Sequence, residues 1–347
     1  MRKTELQINL KSIKDNLSLI KKYTSSDIQA VVKADAYGLA INEVYHELSK
    51  DVESFAVITI DEARALRQLT DKPILLLQGV HEAKDYSNIE DLNLDFVVHS
   101  RWQLEGIDQH NLSNSRIWLK IETGMNRFGL KEEDFVDIYE TMNKERFAEV
   151  ILMSHLACSS QKNNAMNKKQ IDVFKKITKN MPERKSLCNT GAVFNFPEAH
   201  FDIVRPGIGL YGGKYLELGI KPATKLRSKI ISIKDIRKGD SVGYDMSWTS
   251  VHDTKIAVIG IGYADGFPYF SDPIDVCING KVFKTAGRIN MDAITIDLDR
   301  DESIKIGDWV ELWGFNTDLT SFSSEFKNIS YRLLTNISGR VDKNYLE

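Results

Sequence analysis

The sequence predicts an α/β barrel on its N-terminal side followed by a smaller all-β domain, and three observations carry that reading. Eight short apolar runs fall between Gln29 and Arg205, helix-like stretches separate most of them, and after about Lys225 the pattern changes to β-rich segments broken by glycine turns. Eight strands alternating with helices is the composition of a TIM barrel, which keeps its chemistry at the C-terminal ends of its strands.

In chain order, Glu5 to Leu10 alternates apolar and polar side chains, the period of a half-buried strand. It is expected to pair with the β-rich half and make that domain discontinuous. The barrel runs are Gln29 to Lys33, Phe55 to Thr59, Ile74 to Gln78, Phe96 to His99, Ile117 to Lys120, Val150 to His155, Ser186 to Asn189 and Phe201 to Arg205. Between them Asn42 to Ser49, Asp61 to Leu69, Glu132 to Met142 and Met166 to Lys179 read as helices, with Asn42 and Asp61 as caps. The seventh crossover is the exception, since Gly191 to Phe196 leaves little room for a full helix. Lys33, Lys120, His155, Asn189 and Arg205 all stand at strand ends. Further on, KIISIKDIRKGD, KIAVIGIGYADG, DVCINGKVFKTAG, AITIDL and DWVELWG read as strands, and Asn279-Gly280 marks a primed two-residue hairpin turn. The expected division is a barrel over 11–224 and a β-strand domain over 225–347 together with 1–10.

A net charge of −3, from 46 basic and 49 acidic side chains with no polybasic block, argues against nucleic acid and anionic membrane surfaces as partners. Small polar metabolites fit better. The N-terminal MRKTELQINLKSIKDN lacks the apolar core of a signal peptide, and the apolar run near Ile256 to Ile261 is too short to span a bilayer, so a cytoplasmic protein is expected. Cys158, Cys188 and Cys277 are scattered without CxxC spacing, which argues against a disulfide framework and a structural zinc site; no metal is expected.

The most informative stretch is Ala30-Val31-Val32-Lys33-Ala34-Asp35-Ala36-Tyr37-Gly38, where a β-branched run ends on an amine and a tyrosine follows four residues later. Alone, such a lysine is an ordinary surface charge capping a strand. Joined to IETGMNRFG midway, RPGIGLYG after it, and then GYADG and GRINMD, it makes the chain resemble the alanine racemase family in motif order and spacing over essentially its whole length.

That resemblance implies a homodimeric enzyme that interconverts L-alanine and D-alanine with pyridoxal 5'-phosphate and two bases, supplying D-alanine for peptidoglycan. Lys33 is then the Schiff-base lysine and one base, and Tyr37 a phosphate ligand. Tyr244, in SVGYDMSW, is the second base and acts across the subunit interface, with His155 and Arg205 as a hydrogen-bonded network tuning it. Arg205 faces the pyridine nitrogen; its permanent charge opposes protonation there, which limits delocalised carbanion chemistry and favours rapid reprotonation. Gly207 and Ile208 offer backbone donors to phosphate, helped by Asn189 and Thr190. Arg127 contacts the cofactor's phenolic oxygen and the substrate carboxylate, and Lys120 matches a lysine that is carbamylated in some members. Met291 and Asp292 form the partner's side of the carboxylate pocket, Tyr331 lines the inner entrance and touches phosphate, and Tyr263 and Arg288 flank the corridor. The chain departs from the family pattern at Asp35 and Leu39 (more often Asn and His), Thr190 (Ser), Asn290 (Cys), and Tyr269 and Ser160 (Arg and Asp).

Two other readings compete. A related decarboxylase needs a cysteine-centred substrate loop, and Cys277 in DVCINGK lacks that context. A non-catalytic, single-domain binder of the same cofactor would lack residues 225–347 and Tyr244. Between alanine and serine the sequence leaves the substrate open, because a small pocket rejects one added hydroxyl poorly.

Overall fold

Eight parallel strands, Asp27–Val31, Ser54–Val57, Ile74–Leu76, Leu94–Val98, Arg116–Lys120, Glu149–Met153, Lys185–Ser186 and Ile203–Val204, form a ring in which the first seven pair in chain order and the last pairs with the first. Between the seventh and eighth strands the ring is bridged by Asn189 and Arg205. This is the TIM barrel expected. It belongs to one of two compact units, Lys14–Leu210; the other is Met1–Ile13 with Tyr211–Glu347. The computed structural model describes residues 3–110, 112–270, 272–314, 316, 319–325 and 329–347. The β-rich unit takes in Tyr211 onward, before the 224/225 boundary expected; between Tyr211 and the first strand of this half at Thr224 lie turns and the 3₁₀ segment Leu216–Leu218.

The barrel ladders end earlier than the apolar runs do. Lys33 and His155 stand two residues past the ends of their strands, Asn189 and Arg205 lie past theirs and pair only with each other, and Lys120 closes its own. Strand interiors such as Ala30, Phe55, Leu75, Val97, Leu119 and Ile151 are wholly buried, as parallel strands covered by helices must be. At the opposite end Arg116 grips the buried Asp95 through Nη2 at 2.8 Å and Nε at 3.1 Å, on the face a barrel uses for stability.

The helices fall where expected, but their caps do not. Helix Ile60–Arg67 is capped by Thr59, not Asp61, in a capping box with Glu62. Helix Ile41–Leu48 has no side-chain cap at its N-cap, Ala40; Asn42 lies inside it, and the Ile41 N–H is satisfied by Asp35 Oδ1 at 2.9 Å. The seventh crossover is the short helix Thr190–Asn195, with Asn189 as N-cap and a 3₁₀ turn Pro197–Ala199 after it.

In the β-rich unit, Thr224–Ile236 pairs antiparallel with Thr254–Ile259, Trp309–Trp313 and Thr4–Asn9. Through Ile294–Asp297, Lys281–Thr285 and Asp275–Ile278 the pairing returns to Trp309–Trp313 and closes a ring. The N-terminal strand joins this sheet as expected and pairs on its other side, in parallel, with Asp342–Leu346. Two short helices, Leu319–Glu325 and Ser330–Thr335, are added to the all-β plan. No described helix is long and apolar enough to cross a membrane.

Asn279 and Gly280 have φ of 49° and 81°, the primed turn joining Ile278 to Lys281. Around an added Cβ at Gly280 there is open space, whereas at Gly266, φ 89°, it would lie 1.9 Å from Asn336 O. Gly280→Ala should therefore cost about 1 kcal/mol from backbone conformation alone. Gly266→Ala should cost several times more because the 336 backbone must move. Denaturant unfolding of both variants checks the order, and equal costs would refute it.

Candidate active site

The barrel mouth collects the residues singled out in the first half of the chain. Lys33 follows the first strand and opens a turn in which Ala34, Asp35, Ala36 and Tyr37 all have φ between 53° and 57°. That left-handed turn buries Ala36 and Tyr37, and it brings the Tyr37 hydroxyl beside Gly207, where an added Cβ would sit 2.4 Å from Tyr37 Oη. Gly207 N–H donates to Thr190 Oγ1 at 2.9 Å, so the threonine hydroxyl does what a serine's would. Tyr37, Thr190, Gly207 and the buried Ile208 thus form a close cup at the ends of the first, seventh and eighth strands.

Arg205 is buried, and its guanidinium donates to the Ser186 hydroxyl, to Ser154 O at 2.6 Å and to Leu187 O at 3.5 Å. Among the described residues no carboxylate pairs with it, and burial lowers its pKa to about 10. The expected hydrogen bond between His155 and Arg205 is not formed. His155 Nε2 instead accepts from Asn189 Nδ2 at 3.2 Å, which fixes a neutral imidazole with that nitrogen unprotonated. Burial and the charges of Arg205, Lys120, Arg127 and Lys33 hold the His155 pKa well below its ordinary value. Asn189 also donates to Leu156 O, and its Oδ1 accepts from Ser159 Oγ and Ala192 N–H, so its side chain organises the protein around the cup.

Lys120 is 6% exposed, 5.5 Å from the Phe128 ring centroid. Burial first, then Arg205 and Arg127, lower its pKa to about 7. Lys33 is lowered as well, by burial and then Arg127, against a smaller opposing effect of Glu62. Arg127 is exposed on a loop whose turn is closed by Glu122, which accepts from the Gly124 and Asn126 N–H groups.

The remaining candidates lie on the surface of the β-rich unit. Tyr244 sits on the 3₁₀ turn Tyr244–Met246 and is 71% exposed. Its neighbour Asp245 is ion-paired with Arg288. Tyr263 N–H donates to Asn290 O and Ala264 N–H to Met291 O, so the GYADG and GRINMD turns are laced through main chain, and Asp292 pairs with Arg340 at 2.5 Å. Tyr331 opens the helix Ser330–Thr335. Residues that the sequence reading missed are Ser154 and Ser186, which hold Arg205, and Glu62 and Glu122, which hold loops; of these only Glu62 had a signal, the Thr59-x-x-Glu62 spacing.

Residues 8–215 match the model for the alanine racemase N-terminal domain and residues 223–345 that for the C-terminal domain. The chain belongs to the alanine racemase family. It is 38% identical over 345 residues, 97% of each chain, to an alanine racemase of Vesicomyosocius okutanii, and 34% identical to the catabolic alanine racemase of Pseudomonas aeruginosa over 99% of each. The biosynthetic alanine racemase of Pseudomonas aeruginosa superposes with a TM-score of 0.96 at 32% identity, covering 100% of both chains. An alanine racemase of Bartonella henselae with covalently bound pyridoxal phosphate superposes at 0.92 with 28% identity and 99% coverage of both.

The mouth fits that cofactor on its own terms. Four cationic side chains, two of them buried and repelling one another, need an anion. A phosphate can be met by a tyrosine hydroxyl, a threonine hydroxyl and a glycine too close to Tyr37 to carry a side chain. Among the described residues no cluster of His, Cys, Asp and Glu is arranged to hold a metal.

The buried lysine makes stability depend on pH. Unfolded, the Lys120 amine keeps its proton up to about 10.5, while the folded chain gives it up near 7. Between those values the unfolded state binds more protons, so stability rises with pH and the penalty is full below about 7. In carbon-dioxide-free buffer, Lys120→Met should stabilise the chain at neutral pH and flatten this rise. Denaturation across that window measures it; an unchanged slope would overturn the assignment.

Proposed function

We propose that this chain is a cytoplasmic, homodimeric alanine racemase that interconverts L-alanine and D-alanine with pyridoxal 5'-phosphate attached to Lys33, supplying D-alanine for peptidoglycan. The observation that carries the reading is the barrel mouth: a half-buried amine of lowered pKa, a close phosphate cup, and a buried arginine held, among the described residues, by neutral oxygens. Bound there, the cofactor supplies an electron-withdrawing ring that acidifies the α-hydrogen of an attached amino acid.

Tyr37, Thr190, Gly207 and Ile208 would hold the phosphate, Arg205 the ring nitrogen, and Arg127 the phenolic oxygen and the substrate carboxylate. Arg205 would keep its own proton and by its charge oppose protonation of that nitrogen, so the ring it holds would be a weaker electron sink. Lys33, its neutral form favoured by burial and Arg127, takes or returns the α-proton on one face. Tyr244 of the partner subunit serves the opposite face, and the partner's Met291 and Asp292 close the carboxylate pocket. Tyr263, Arg288 and Tyr331 line the entrance. Exposed Tyr244, Met246, Tyr263, Tyr269 and Met291 on one unit support a second copy covering that surface. A neutral Lys120 amine can capture carbon dioxide, and the resulting carbamate would hold Arg127 by charge.

Lys33→Ala should lose both racemisation and borohydride-fixable cofactor, read by optical rotation and peptide mass. Cofactor fixed at another lysine would refute the assignment. Tyr244→Phe should keep the cofactor and slow α-proton exchange from L-alanine more than from D-alanine. Mixing Lys33→Ala with Tyr244→Phe chains should restore one complete site per heterodimer. Verified heterodimers without activity would rule out the shared site.

A further inference from the structure

Glu62 lies in the first turn of helix Ile60–Arg67, where a capping box asks its carboxylate for one bond, to Thr59 N–H at 3.2 Å. Its carboxylate makes two more. Oε2 also accepts from Ile58 N–H at 2.9 Å, and Oε1 crosses to the neighbouring strand end and accepts from Ala34 N–H at 2.7 Å. Ala34 follows Lys33 directly and is the first residue of the left-handed turn. Each L-residue in that conformation brings its Cβ too close to the following carbonyl oxygen, so four in a row need holding from outside the turn. Asp35 holds the far side, its Oδ1 accepting from Ile41 N–H at 2.9 Å.

We propose that Glu62 is a positioning residue for Lys33 and Tyr37: by bridging Ala34 N–H to Ile58 and Thr59 it fixes the left-handed turn that sets the amine and the phenol at the barrel mouth. This rests on the reading of Lys33 as the cofactor lysine. Charge acts in the same direction as geometry. Glu62 favours the Lys33 ammonium, Arg127 opposes it, and Lys120 and His155 are the other titratable groups coupled to Lys33. Glu62 therefore keeps the amine from losing its proton too far below the pH at which it must exchange one.

Two variants of the full chain separate reach from charge. Glu62→Gln removes the charge and leaves one acceptor oxygen for three N–H groups. Glu62→Asp keeps the charge but is one methylene too short to meet both strand ends. With the Lys33 amine free, its rate of acetylation against pH is followed by peptide mass, and amide hydrogen exchange is followed over residues 33–38. For Glu62→Gln the Lys33 midpoint should fall by about half a pH unit or more, with faster exchange confined to that segment. Glu62→Asp should keep the midpoint near the parent's and still speed the same exchange. Parent-like exchange in either variant overturns the proposal. So does exchange that rises evenly along the chain without a change at Lys33, the result of an ordinary helix cap. If both expected changes appear but cofactor attaches elsewhere, the positioning stands and the functional reading falls; cofactor on Lys33 with neither change gives the reverse.

Discussion

Lys33, Lys120, Arg127 and Arg205 act on one another electrostatically at one barrel mouth, and the chain leaves that repulsion standing instead of cancelling it. Arg205 is buried among the hydroxyl and carbonyl oxygens of Ser186, Ser154 and Leu187, which satisfy its N–H groups without neutralising it. The nearby carboxylates are spent on backbone. Glu62 accepts from three N–H groups and Glu122 from two, so each organises a loop while opposing the adjacent lysine's deprotonation less than burial and Arg127 favour it. Burial first, and then this positive field, hold His155 neutral and bring Lys120 near 7, and the field selects an anion. Binding an anion there relieves repulsion, so occupancy and folding stability are linked.

The architecture was legible because barrels and hairpins write themselves in short-range pattern. Apolar runs separated by helical spacing gave eight strands, and Asn279-Gly280 marked a turn whose two positive φ angles the structure shows. What escaped was set by distance along the chain. The polar strand endings, the turn at Lys33 and the partners of Arg205 depend on bonds between residues tens of positions apart, such as Ala34 with Glu62 and Arg205 with Ser154. A left-handed turn made of alanine, aspartate and tyrosine has no propensity signature at all. The Thr59 cap was visible as Thr-x-x-Glu, but Asp61 is an equally plausible cap by residue type, and only the hydrogen bonds decide between them. The last strand, Asp342–Leu346, reads DKNYL and pairs with Thr4–Asn9, a partner no local window contains.

At 35, 190 and 290, where the sequence departs from the pattern the resemblance implies, the atoms that the backbone uses are kept. Aspartate at 35 retains the Oδ1 acceptor that satisfies Ile41 N–H, so replacing asparagine costs the turn nothing in geometry. Threonine at 190 retains the hydroxyl that receives Gly207 N–H. Asn290 meets the entrance turn through its carbonyl, which accepts from Tyr263 N–H, and its own N–H donates to Ala293 O; neither bond depends on the side chain that differs. Leu39 is fully buried, and there an apolar side chain removes a polar group instead of leaving one unpaired. The constraint at these positions is thus on acceptors for particular N–H groups more than on residue identity.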